Sequence, residues 1–286
     1  MPLLKIVLLA IIQGLAELLP VSSSAHVVIA ERLMGLDASS PEMTLMLVML
    51  HTGTMFAVIV YFWNEWRKTY FRSSEAFKLI AMRLVWATVL TGVVGEVMQK
   101  VVEKTLLKGV RHAQIEDLFN HLEWIWPALA AAGILILVAG LLTQTKSYDE
   151  GQEPTLSQSS WIGAVQGFCL PFRGFSRSGA TISTGMLAGV ARERAETFSF
   201  ALAVILTPPV VAREVLRLIH AQHISGGLNV ASAMLPGLAG AACSFLAGLF
   251  ALKWLSRWLE TGRWYLFGIY CLVASAVVFY LHHIGY

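Results

Sequence analysis

The sequence predicts an all-α polytopic membrane protein with six transmembrane helices and two re-entrant helical hairpins, arranged as an inverted repeat. Apolar residues make up 56% of the 286 positions and charged residues only 14%, well under the ~25% charged of an average soluble domain. Six apolar stretches reach the roughly twenty residues needed to cross about 30 Å of hydrocarbon. Two more are as apolar but are broken in the middle by Pro, Gly and Ser. These two carry similar motifs, Gln13-Gly14 running into Pro20–His26 and Gln166-Gly167 running into Gly174–Gly179.

The broken segment 3–34 comes first. Pro20 halts one helix, and Ser22, Ser23 and Ser24 start the next. Lys5 before an apolar run has the charge pattern of a signal peptide. Gln13 and Glu17 interrupt its hydrophobic centre, however, and no small-residue cleavage site follows, so the segment is expected to be retained. Spans then cover about 44–64, 79–98 and 125–143. The second broken segment, 161–190, is followed by spans at about 198–219, 230–252 and 264–283. Pro208-Pro209 predicts a kink in the first of these three. Trp63, Trp66, Trp124, Trp126 and Trp264 fall at span ends, where an interfacial aromatic belt is expected. Irregular backbone at membrane depth must be buried in protein or line a wet cavity, so both broken tips are expected to point inward.

Short-loop charges set the orientation. Arg67, Lys68, Arg72, Lys78 and Arg83 outnumber Glu65 and Glu75, which places this loop in the cytoplasm. The loop 99–124 balances Lys100, Lys104, Lys108 and Arg111 against Glu103, Glu116, Asp117 and Glu123, and can face outward. Alternation then puts 144–160, Arg192, Arg194, Lys253, Arg257 and Arg263 inside. The chain reads as one membrane domain, 1–286, with repeat halves at about 1–143 and 161–283. Each half is a hairpin plus three spans. Three is odd, so the halves enter the membrane in opposite senses, as in many transporters with broken helices at the midplane. A net charge of +3 is too small to suggest nucleic acid. Cys169, Cys243 and Cys271 lie in apolar runs without metal-ligand spacing and read as small core residues.

The polar residues of the two tips are the candidate site. Gln13 and Glu17, four apart, share one helix face, and a charge at bilayer depth costs on the order of 3 kcal/mol unless it has a partner or a purpose. Ser22, Ser23 and Ser24 at a helix start suit an anion. His26 can act as general acid, general base or nucleophile near neutral pH. Arg177, flanked by Ser176 and Ser178 and followed by Gly179 and Thr181, offers a guanidinium fork matched to phosphate. If the halves pack face to face, Arg177 meets Glu17 and His26. His51 lies inside the first span, where it either packs or extends the cluster.

At these residues the chain resembles the undecaprenyl-diphosphate phosphatase family, the bacitracin-resistance type of integral membrane phosphatase. The matching stretches are QGLAELLPVSSSAH at 13–26, the run Gly53–Trp63, and GFSRSGATIS at 174–183 continuing through GMLAGVAR and FSFALAV. The resemblance implies hydrolysis of undecaprenyl diphosphate to undecaprenyl phosphate and inorganic phosphate at the outer face of the bacterial inner membrane. That reaction regenerates the carrier lipid for peptidoglycan synthesis, usually with Mg²⁺ or Ca²⁺. It assigns catalysis to Glu17, Ser23, His26 and Arg177, and the divalent cation to Glu17. Substrate contacts are expected from Gln13, Ser22, Ser24, His51, Ser176, Ser178, Gly179 and Thr181.

Three positions depart from the family pattern. Gln13 stands where Glu is usual, Ala25 where Gly is common, and the proline expected after FSFALAV is displaced to Pro208. Gln13 weakens a metal site and leaves a second reading, a transporter that flips a prenyl phosphate with little or no hydrolysis. The expected partners are the bilayer and a polyprenyl diphosphate, with no nucleic acid. A homodimer is compatible with either reading.

Overall fold

The computed structural model describes residues 2–37, 40–106, 122–144, 152–225, 230–260 and 262–285, and the regular elements among them are all α-helices. In chain order these are α1 (Leu3–Leu18), α2 (Ser23–Leu33), α3 (Pro41–Thr69), α4 (Ser74–Leu106), α5 (Leu122–Thr143), α6 (Leu156–Cys169), α7 (Arg177–Leu187), α8 (Arg192–Ser225), α9 (Val230–Glu260) and α10 (Tyr265–His283). Six of them, α3, α4, α5, α8, α9 and α10, are long and apolar enough to cross a membrane. All six correspond to the expected spans, and several run further. The 33 residues of α4 extend to about 50 Å at 1.5 Å per residue, longer than the roughly 30 Å of hydrocarbon. Helix α8 carries Pro208 and Pro209, the expected kink position, inside its length. The expected outward loop falls mostly on 107–121, outside the described residues.

Val85, Trp86, Val89, Val93 and Val97 are 45–59% exposed along α4. Apolar faces of this extent are rare on soluble proteins and are what acyl chains would cover. The chain is a multi-pass membrane protein.

The two broken segments each form a pair of short helices that doubles back. Lys5 Nζ donates to the Met34 carbonyl at 2.6 Å, joining the start of α1 to the end of α2. Gln158 Nε2 donates to the Ala188 carbonyl at 3.0 Å, doing the same for α6 and α7. The opposite ends of the pairs touch: Ser178 Oγ donates to the Leu19 carbonyl at 3.3 Å, and the Gly174 amide donates to Ser24 Oγ at 3.2 Å. Gly174 has φ +101°, and a Cβ there would strike the Ile125 carbonyl, so this turn requires glycine.

Helix α1 packs on α9, α6 on α4, α5 on α10, and α3 on α8 and α9. The main core gathers Leu18, Ile125, Ile136, Ile182, Phe198, Phe200 and Trp264 around the second hairpin. The aromatic belt holds only in part. Trp63 is half exposed, but Trp66 is buried and Trp264 is fully buried, its indole N–H donating to Ser183 Oγ at 3.0 Å. Trp264 goes to the core because its N–H finds a polar partner there, whereas Trp66 is held by stacking against Phe62 and Tyr70. Cys169 and Cys271 are free and buried, as small core residues should be.

One end of the bundle is tied by charge. Arg194 Nη1 donates to Glu65 Oε1 at 2.7 Å and to Glu153 Oε1 at 3.2 Å, and Arg192 Nη2 to the Thr143 carbonyl at 3.1 Å. The ends of α3 and α5 therefore share a face with the starts of α6 and α8, as alternation of the basic loops requires.

Candidate active site

Helix α1 carries Gln13 and Glu17 on one face, and the central polar contacts of the site spread from them. The carboxylate oxygens can only accept, so the Gln13 NH₂ group is the end that faces Glu17 Oε2, at 3.2 Å. The same nitrogen lies 3.0 Å from His51 Nδ1 on α3, which is also 3.7 Å from Glu17 Oε2; an amide N–H can only donate, so a neutral His51 accepts there through Nδ1 and carries its proton on Nε2. Ser23 Oγ, in the first turn of α2, donates to Glu17 Oε2 at 2.5 Å. From the second hairpin, Arg177 Nη2 donates to Glu17 Oε1 at 3.0 Å.

This ion pair is sheltered, with the Glu17 side chain 18% exposed and that of Arg177 21%. Pairing offsets the cost of placing either charge away from water. The second arm of the guanidinium is different: Nη1 is buried and has no hydrogen-bond partner. A buried donor left unpaired costs about 1–3 kcal/mol, and no group among the described residues offsets that cost at this arm.

Ser22 is the one non-glycine with positive φ among the described residues, at +69°. Such a backbone costs on the order of 1–3 kcal/mol and persists where surrounding contacts enforce it. As N-cap of α2 its side chain makes no capping bond and instead sits 3.3 Å from Ser24 Oγ. The first-turn amides of α2 consequently lack a side-chain cap, next to the Ser23–Glu17 contact.

The expected site residues divide into groups. Gln13, Glu17, Ser23, His51 and Arg177 are brought into one cluster, with Ser22 and Ser24 beside it. Ser176, Ser178, Gly179 and Thr181 instead brace the helix that carries Arg177. Ser176 Oγ accepts from the Gly179 amide. Thr181 Oγ1 donates to the Arg177 carbonyl at 2.8 Å and lies 2.6 Å from Ser199 Oγ. His26 is turned away from Glu17: Nδ1 is 2.8 Å from the Ser22 carbonyl oxygen and Nε2 is 2.8 Å from the Tyr270 hydroxyl. Gln166, the second-motif counterpart of Gln13, binds Thr91 Oγ1 at 3.3 Å on α4 and stays out of the cluster. Tyr270 was not anticipated; the only sequence signal for it is a phenol in the middle of an apolar span.

The donor chemistry does not suit a protein-held divalent cation. Glu17 is the one carboxylate in the cluster, and both its oxygens already accept hydrogen bonds, from a cation on one side and from Ser23 and Gln13 on the other. Among the described residues no group of three His, Cys, Asp or Glu side chains is placed to hold a metal.

Comparison with known proteins extends these observations over the whole chain. The family model described as bacitracin resistance protein BacA matches residues 6–277. An undecaprenyl-diphosphatase 2 of Acinetobacter baylyi is 57% identical over 283 residues, covering 97% of each chain. Similar proteins at 32% identity include an undecaprenyl-diphosphatase 2 of Burkholderia ambifaria, covering 98% of this chain and 96% of its own. An undecaprenyl-diphosphatase 1 of Burkholderia pseudomallei is 32% identical over 96% of this chain and 95% of its own.

Proposed function

The chain belongs to the bacitracin resistance protein BacA family, and from that membership we propose an integral membrane phosphatase that hydrolyses undecaprenyl diphosphate to undecaprenyl phosphate and inorganic phosphate, recycling the carrier lipid of peptidoglycan synthesis. The observation that carries the reading is the buried, unpartnered Arg177 Nη1 beside a Glu17–Ser23 contact of 2.5 Å. It pairs a guanidinium N–H donor that no acceptor among the described residues satisfies with a hydroxyl poised against a base.

In the proposed chemistry the terminal phosphate sits against Arg177 Nη1, the α2 first-turn amides and His51 Nε2–H. Ser23 Oγ attacks the terminal phosphorus and passes its proton to Glu17. The bond from that phosphorus to the bridging oxygen breaks, and prenyl phosphate leaves with the bridging oxygen and, from Glu17, the proton. Water then attacks the seryl phosphate, giving its proton to Glu17, which returns it to Ser23 Oγ as inorganic phosphate departs. Positioning and charge stabilisation supply most of the rate in such transfers. His26 holds the Ser22 turn that presents Ser23. A divalent cation would be held by the diphosphate oxygens of the substrate, where it would offset their charge.

The finer architecture belongs to the same proposal. Two re-entrant hairpins enter from opposite leaflets as parts of an inverted repeat, and the site opens on the periplasmic face of the inner membrane. Supporting this, α1 packs on α9 as α6 packs on α4, the counterpart pairs of the two halves. Phosphate release from farnesyl diphosphate by purified protein in detergent tests the function. Removing a group that stabilises developing charge costs about 10²–10³ in rate and removing a general base about 10²–10⁴, so Arg177→Ala and Glu17→Ala should lose about those factors respectively. Equal release by all three proteins would refute the site. Substrate binding without release by wild type would favour the flippase.

A further inference from the structure

We propose that Tyr270 is a positioning residue of the phosphatase site, setting the tautomer of His26 and through it the backbone that presents Ser23; this rests on the phosphatase reading above. The Ser22 carbonyl oxygen can only accept, so His26 Nδ1, 2.8 Å away, carries the ring proton. A neutral imidazole with a proton on Nδ1 has its lone pair on Nε2, and the Tyr270 hydroxyl, 2.8 Å from Nε2, donates to it. The two rings also stack, with centroids 5.7 Å apart and planes 11° from parallel. Hydroxyl and ring face together leave His26 one orientation and one tautomer.

The target of this constraint is the left-handed Ser22, φ +69°. Its carbonyl is held by the His26 ring, and the next residue is Ser23, whose Oγ meets Glu17. The neighbouring residue on α10 grips the same break: the Cys271 thiol donates to the Pro20 carbonyl at 3.4 Å. Two successive α10 residues thus reach the Pro20–Ser22 turn, one directly and one through an imidazole. A tyrosine at mid-span that is 47% exposed gains nothing from its hydroxyl in hydrocarbon unless that hydroxyl has a partner.

Tyr270→Phe keeps the ring and deletes the donor. With phosphate release from farnesyl diphosphate, the variant should show a kcat lowered about tenfold or more, KM within about twofold of wild type, and an unchanged melting temperature. This is the pattern of a lost transition-state contribution. A kcat within about twofold of wild type would overturn the proposal while leaving the phosphatase reading intact. Absence of release by wild type would instead remove the phosphatase reading. Nitrogen-15 shifts of histidine-labelled protein, with His26 assigned through His26→Gln, read the tautomer independently of activity. Wild type should be protonated at Nδ1 alone and Tyr270→Phe should be a mixture. A mixture in wild type, or no change in the variant, would also overturn the proposal.

Discussion

Gln13 differs from the glutamate of the related motif by one nitrogen for one oxygen, and that exchange decides the electrostatics of the cluster. As an amide it donates to Glu17 and to His51. A glutamate would put a second carboxylate against Glu17, and two such neighbours stay ionised together only when a cation lies between them; otherwise one takes up a proton. Gln13→Glu should therefore raise the dependence of phosphate release on Mg²⁺, measured as the ratio of rates with and without chelator. An identical ratio in wild type and variant would contradict this account. Much of the cluster was legible in the sequence: Gln13 and Glu17 share a face by their spacing of four, and Arg177 stands out among serines. The turning away of His26 was not legible, because its partner Tyr270 lies 244 residues along the chain in a run whose composition says only that it is apolar.

Helices explain why the two motifs share Gln-Gly. Gly14 crosses α9 so closely that a Cβ would lie 2.6 Å from Ala247 Cβ and 2.7 Å from the Ser244 carbonyl oxygen. Gly167 crosses α4 with the Thr91 carbonyl oxygen 2.5 Å from the same position. Small residues let backbones approach where lipid gives no hydrophobic push between helices. Gly167→Val forces the pair apart, and overpacking of this kind costs about 1–3 kcal/mol or more. A lowered melting temperature in detergent is expected, whereas Gly92→Ala, with open space at its Cβ, should match wild type. Equal melting of Gly167→Val and wild type would show that the crossing is loose. The repeated dipeptide was read from the sequence as a marker of chemistry. In the first hairpin Gln13 joins the cluster, and in the second Gln166 donates to Thr91 on α4 instead, a distinction set by what faces each helix rather than by the motif.

At the scale of the molecule, hydropathy located the six spans because crossing hydrocarbon imposes length and composition on each one separately. It was silent on which spans touch, since a lipid-facing leucine and a helix-facing leucine are alike to the bilayer. The long pairing of α5 with α10 therefore emerged only in three dimensions. The placement of the site between two faces is a further consequence of the assembly. Arg194 gathers Glu65 and Glu153 at one end, while His51 lies nearer the Pro41 end of α3 than the Thr69 end, so the cluster is closer to the face opposite the Arg194 network. Basic loops stay cytoplasmic, and the network end is the one that carries them, so the cluster should face the periplasm. In protein with Cys169, Cys243 and Cys271 replaced by alanine, Asp37→Cys should react with a membrane-impermeant maleimide in intact spheroplasts. Lys253→Cys, on the basic end, should react only after lysis. The reverse pattern would turn the site toward the cytoplasm and require the lipid diphosphate to cross the bilayer before it is hydrolysed.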